Sequence, residues 1–448
     1  MTRASSCRVL SLPFFVLPFA LSPSGCARAV PESAAPTAVQ RLAIPDRDNA
    51  TPDIAARDRF VVVTWSAAIP DGGTDIFAAV SDDAGTTFGA PVRVNDLAGE
   101  ARANGEQPPR VAIGPLEIGV VWTSRRNGVT EVRLSKSADG GRTFGASALV
   151  HPAGLTGARG WMSIAGDAKG AMHVVWLDGR NAAPAQTAPS AAATPAVATA
   201  AAQGTTAAPG SGAHQHRHGD VRQDLYYAIV QPDGTQTEIQ AATNVCFCCK
   251  TAVTIDPDGR ASLAWRNIYP GNLRDIAFRT LDSNGADSGG NVVRISEDQW
   301  RLEGCPDDGP AMVKDRGGRI HVVWPTLVGG PDASKGIFYA STADRRAFSV
   351  RARLDDGAAR TASHPQITAV GADGLAVLWD EPNIGSRRVM LRERIDPAKD
   401  WSAAAPLPDA APAYYPAAAG VPDGLLVVWT SATTPRSSIV VYRKRLGS

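Results

Sequence analysis

An apolar run ending in tryptophan occurs seven times along this 448-residue chain: VVVTW at Trp65, GVVW at Trp122, HVVW at Trp176, SLAW at Trp265, HVVW at Trp324, AVLW at Trp379 and LVVW at Trp429. The spacings are 57, 54, 89, 59, 55 and 50 residues, and only the long one holds an obvious insertion. Self-similarity at a near-constant period means a repeat architecture. Periods of about 50 residues with short β-runs suit propeller blades rather than helical repeats.

Each copy has the same internal order. An inner strand (A) comes first, as in PRVAIG from Pro109 or HPQITAV from His364. A tight turn follows, often Asp-Gly, as at Asp258-Gly259 and Asp373-Gly374. Such pairs accept the positive φ that hairpin turns need. The tryptophan strand (B), a longer polar loop, a third strand (C) such as DLYYAIV from Asp224 and a short fourth strand (D) such as PVRV from Pro91 complete the unit. The last copy stops after its third strand, IVVYRKR, whereas AVQRLAIP stands as a spare strand before the first copy. Pairing the two closes the ring and removes an open sheet edge. The predicted fold is therefore all-β: a seven-bladed propeller of four-stranded antiparallel blades over residues 41–448, closed by the N-terminal strand. A six-bladed propeller with an irregular segment is the alternative.

The formal net charge is +1, which gives no basic field for nucleic acid. Arg3 and Arg8 precede a short apolar run, Val9–Leu21, too short to span a membrane, so residues 1–29 read as an export signal. Pro23-Ser24-Gly25-Cys26 resembles a bacterial lipobox with Cys26 as the lipidation site, and Ala27-Arg28-Ala29 also fits an ordinary cleavage site. Either reading removes Cys7 and Cys26 from the free thiols. Removing residues 1–29 takes away Arg3, Arg8 and Arg28 and no acids, so the net charge falls from +1 to −2. Residues 30–40 read as a tether. The expected location is the periplasm, as a monomer touching the membrane only through an N-terminal lipid anchor.

Two turns between strands C and D are specific. Ser81, Asp83, Gly85 and Phe88 in SDDAGTTF, and Ser137, Asp139, Gly141 and Phe144 in SADGGRTF, share the pattern S-x-D-x-G-x-T-F. They resemble the Asp-box (BNR) repeats of sialidase-like propellers, in which the boxes are structural and lie at the rim. A third stretch, Ser341 to Phe348, keeps the ends of the pattern and reads as having lost its Asp and Gly. The resemblance implies a glycoside hydrolase resembling exo-sialidases as one function class. Such enzymes clamp a substrate carboxylate with three arginines and use a tyrosine nucleophile. Arg180 and Arg266 follow strand B, and Tyr414 and Tyr415 open the last inner strand, so these residues fall where that chemistry would sit. Arg41, in RLAIP, approximates the family's first arginine motif.

In a four-stranded up-and-down blade the D–A and B–C connections emerge on one face. Inner strands surround the channel, so D–A connections converge at its mouth. This places Cys246, Cys248 and Cys249 (NVCFCCK) before the fourth inner strand, and Cys305 at the equivalent place before the fifth. Residues 182–213, rich in Ala, Thr and Pro, read as a disordered insertion on the same face. The insertion ends in His214, His216 and His218, an accessory set for borderline metals. His151, His173, His321 and His364 read as structural, with His364 opening an inner strand on the cysteine face.

Three readings of the cysteines stay open. An even set in an oxidising compartment suits disulfides, with Cys246–Cys305 stapling two blades and Cys248–Cys249 forming a strained vicinal bridge, or one of that pair bonding elsewhere. A compact Cys-x-Cys-Cys suits thiolate ligation of copper or zinc, with Lys250 and Arg301 as nearby cations that lower a thiol pKa. A labile disulfide would make a redox switch. The corresponding functions are a non-enzymatic binding propeller whose Cys/His face handles a metal ion or redox partner, a sialidase-like hydrolase whose partner is a glycan, and a protein-interaction platform with structural disulfides. The first is preferred.

Overall fold

The computed structural model describes residues 39–182, 223–287, 292–302, 304, 306, 308–328, 335–357, 361–408, 411–433 and 435–445. The expected lipidation site Cys26, most of the insertion with His214, His216 and His218, and Cys305 lie outside them.

The described strands form seven four-stranded sheets. Six use consecutive strands, and the seventh joins Val39–Leu42 to the three C-terminal strands Ala413–Val421, Gly424–Ser431 and Ser438–Arg445. Gln40 lies opposite Val441 in an antiparallel pair, so the first strand completes the last blade. The seven-bladed reading holds, and the six-bladed alternative does not.

Each B strand buries its tryptophan completely. An indole buries a large apolar area but carries one N–H that needs an acceptor. A polar side chain two residues on, hence on the same face of the strand, often supplies it. Trp176 donates to Asp178 at 3.0 Å, Trp265 to Asn267 at 3.1 Å and Trp379 to Glu381 at 3.0 Å. The repeated tryptophan is therefore a core anchor, and in these three blades the strand itself supplies the acceptor for its donor.

The Asp-boxes pin one blade to the next. Ser81 Oγ donates to Asp83 Oδ1 at 2.7 Å, and Asp83 accepts from Thr87 N at 2.8 Å. Ser137, Asp139 and Thr143 repeat this at 2.8 and 3.0 Å. Gly85 has φ +76°, and a Cβ there would lie 2.5 Å from Leu426 of the neighbouring blade. Gly141 has φ +83° and would meet Val80 at the same distance. Only glycine permits both the turn and the contact. The third turn corrects the sequence reading, because its Asp is not lost but shifted by one position. Asp344 accepts from Thr342 Oγ1, Arg346 N and Ala347 N, and Arg345 takes the left-handed conformation at φ 61°.

Four inner strands carry a bulge near the channel mouth, each with a non-glycine residue at positive φ: Thr51, Trp161, His364 and Tyr415. A bulge re-aims a side chain, and strain of this kind collects at functional sites. Below the mouth, side chains from all seven inner strands, from Ile54 to Ala418, line a channel cavity of about 170 Å³.

Candidate functional site

The Cys loop links the fourth strand of blade three (Gln236–Val245) to the inner strand of blade four (Ala252–Ile255), at the mouth where the repeat register places it. Local bonds fix its path. Cys246 N donates to Arg266 O at 3.0 Å, and Thr251 Oγ1 donates to Trp161 O at 2.8 Å. The loop leading into blade five presses on it so closely that a Cβ on Gly309 would lie 2.1 Å from Lys250 O. Trp161 and Ile268 pack over the cysteines.

All three cysteines are buried, and their sulfurs lie within 4.8 Å of one another. Cys249 Sγ donates to Cys246 Sγ at 3.3 Å, and the Sγ atoms of Cys246 and Cys248 are 4.0 Å apart. Cys246 and Cys249 are free thiols. Cys248 is disulfide-bonded, and its partner lies outside the described residues. The expected pairing of Cys246 is thus corrected: its sulfur is turned to Cys249 and to Arg274, whose Nη1 lies 3.2 Å away.

These contacts split the two thiols electrostatically. The hydrogen bond from Cys249, with help from Arg274 and Arg266, outweighs burial and brings the Cys246 pKa down to about 6. Burial, reinforced by the charge on Cys246, pushes the Cys249 thiol up. A thiolate and a thiol sharing one proton is the expected state at neutral pH. The responsible cations are not the two expected from sequence. Lys250 turns to Asp308, with Nζ 3.5 Å from Oδ1, and Arg301 is exposed.

The residues matched to sialidase chemistry have other partners. Arg180 binds Asp178 at 2.6 Å and Glu238 at 2.7 Å, and stacks over the Tyr226 ring. Arg266 is buried and donates to the carbonyls of Asp308, Arg274 and Pro325. The two arginines share no hydrogen-bond partner. Arg41 donates to Ser438 in the closing blade. Tyr414 and Tyr415 are adjacent at the mouth, and Tyr415 packs against His364 with ring centroids 4.5 Å apart.

His364 has a different role from the other histidines. His173 and His321 bond Tyr227 and Tyr339 within their own blades, and His151 Nε2 accepts from Val132 N, as structural residues do. His364 is clamped across the mouth, with Nδ1 2.7 Å from Asp380 and Nε2 2.7 Å from Glu106. Burial opposes its charge, but the two carboxylates prevail and raise its pKa to about 9. Its backbone N donates to Asp308 at 2.8 Å. Asp308 is buried, and Lys250, Lys335 and His364 hold its carboxyl well below the usual range against the cost of burial. An ionic network therefore runs from the Cys loop across the mouth, around a cavity of about 10 Å³, room for one water.

Sequence reasoning missed Arg274, Trp161, Asp308, Glu106 and Asp380. Arg274 had a usable signal, since it lies in a B–C connection and so belongs to the cysteine face. Trp161 had none, because nothing in its strand marks the bulge.

No protein-family model matches the chain, and no curated protein matches it in sequence. Solved structures match over most of the chain at low identity. One is a protein of unknown function from Dyadobacter fermentans, 10% identical, with a TM-score of 0.48 over 90% of this chain and 98% of that one. Another is the GH93 alpha-L-arabinofuranosidase of Fusarium graminearum, 13% identical, with a TM-score of 0.48 over 90% and 95%. Trypanosoma rangeli sialidase is 11% identical, with a TM-score of 0.46 over 90% of this chain and 55% of its own. The likeness is distant and does not extend to sequence.

Proposed function

We propose that this is an exported binding propeller, anchored by lipid at Cys26, that holds one soft transition-metal ion at Cys246, Cys248 and Cys249. The observation that carries the reading is the gathering of three buried sulfurs within 4.8 Å at the channel mouth. Metal–thiolate bonds of about 2.3 Å put ligand sulfurs of one shell at most about 4.6 Å apart. The 4.0 Å between Cys246 and Cys248 fits directly, and the 3.3 Å between Cys246 and Cys249 fits once they open slightly. Cys246 and Cys249 are the two ligands available while Cys248 is oxidised, and reduction adds the third. Soft thiolates select Cu(I), or Zn(II) in a tetrahedral shell. His214, His216 and His218 would serve as a delivery arm.

A redox reading has its own observation, the closeness of the Cys246 sulfur to a disulfide sulfur. Attack of the Cys246 thiolate on Cys248 Sγ would form a Cys246–Cys248 bond and release the former partner of Cys248 as a thiolate, with no net oxidation.

Native intact mass of protein purified from the periplasm without chelator tests the first reading against the denatured mass before and after reduction. The expected result is a native excess of one metal ion that disappears on denaturation. Protein that stays metal-free after reduction and anaerobic incubation with Cu(I) and with Zn(II) would reject it and leave the exchange reading.

A further inference from the structure

Among the described residues three arginines are buried: Arg159, Arg266 and Arg274. Arg159 is conventionally paired, with Nε 2.9 Å from Asp178. The other two have no carboxylate partner among the described residues. Arg266 gives its hydrogen bonds to three backbone carbonyls and lies 5.0 Å from the Trp300 ring centroid. Arg274 gives its own to Asn272 Oδ1 at 3.0 Å and to Cys246 Sγ at 3.2 Å. Arg266 Nη1 also donates to Arg274 O at 2.7 Å, which holds the two positions together. A buried charge is costly unless it meets an opposite one. The acidic groups nearby are committed elsewhere: Asp308 to Lys250 and Lys335, and Asp275 to Arg294.

Among the described residues the sulfur cluster is the remaining source of negative charge beside them. We infer that Arg266 and Arg274 are the counter-ions of a metal–thiolate anion and make the site select a univalent soft ion over a divalent one. This rests on the metal reading above. Two thiolates around Cu(I) carry one net negative charge, and around Zn(II) none. Three thiolates carry two with Cu(I) and one with Zn(II). Against two buried guanidiniums, the univalent ion leaves less charge uncompensated in both oxidation states of Cys248. Softness alone favours copper at thiolates. The arginines add a discrimination that depends on charge, and removing one of them exposes it.

The test uses the mature chain with Ag(I) as the univalent probe, because Ag(I) needs no reductant and leaves the Cys248 bond intact. Affinities for Ag(I) and Zn(II) are measured by competition with chromophoric chelators for the wild type, Arg274→Gln and Arg274→Lys. Gln can still donate to the Cys246 sulfur but carries no charge. The expected result is a shift in the Ag(I)-to-Zn(II) affinity ratio toward zinc of at least about tenfold in Arg274→Gln, with a wild-type ratio restored in Arg274→Lys. Arg266→Gln is measured in parallel, so that a fold lost in one variant leaves the other to decide. An unchanged ratio in a folded Gln variant that still binds Ag(I) overturns the selectivity while leaving the metal site standing. No uptake of either ion by the wild type overturns both.

Discussion

Cys249 donates its thiol hydrogen to Cys246 across 3.3 Å, while Cys248, between them in sequence, is disulfide-bonded. Three consecutive-looking cysteines thus divide into a hydrogen-bonded dithiol and one oxidised sulfur. Alkylation of the denatured chain without reductant should label Cys246 and Cys249 and spare Cys248, which becomes labelled only after reduction. Peptide mapping reads this directly, and a Cys246 peptide found in a disulfide would contradict it.

The His364 clamp gives a pH dependence with a definite sign. Its pKa rises on folding from an ordinary 6.5 to about 9. The protonated form is bound more tightly by the folded state, so its contribution is complete below pH 6.5 and disappears as pH rises through 9. Thermal melts of the wild type and His364→Gln should be furthest apart near pH 6 and converge above pH 9. A gap that widened with alkaline pH would reverse the assignment.

Gly140 and Gly141 are neighbours in one Asp-box, and both have positive φ, 72° and 83°. A Cβ at Gly140 meets nothing within 4 Å, whereas one at Gly141 lies 2.5 Å from Val80 Cγ1. Gly140→Ala should cost about 1–2 kcal/mol, for conformation alone. Gly141→Ala should cost about 1–3 kcal/mol more, because it wedges two blades apart. Urea midpoints of the two variants make the comparison, and equal costs would mean the interblade contact yields freely.

Trp324 donates to the buried carboxylate of Asp298 at 2.8 Å, while the N–H of Trp122 has no partner among the described residues. Trp324→Phe should therefore destabilise by about 1–3 kcal/mol more than Trp122→Phe, since it leaves a buried acceptor of Asp298 unbonded. Denaturant unfolding of the pair checks this.

The architecture was legible because it is written in local, repeated signals. Seven tryptophan strands give the blade count, and the strand missing from the last copy reappears as Val39–Leu42. Ser81, Asp83 and Gly85 announce their own turn because every bond in it spans at most four residues. The same locality misled at Ser341–Phe348, where a shift of one residue hid Asp344 in the role of the box aspartate.

Strand order and loop parity also sufficed to put Cys246, Cys248 and Cys249 at the channel mouth. Which sulfur is oxidised, which is charged and which cation sits beside it were decided only by tertiary structure. Arg274 reaches Cys246 from a loop 28 positions away, and His364 reaches Glu106 from 258 positions away. Lys250, adjacent to the cysteines in sequence, turns instead to Asp308. The physical reason is burial. In water these charges would be screened and interchangeable, but loops converging from different blades exclude water, so each ion must find the partner that geometry brings closest.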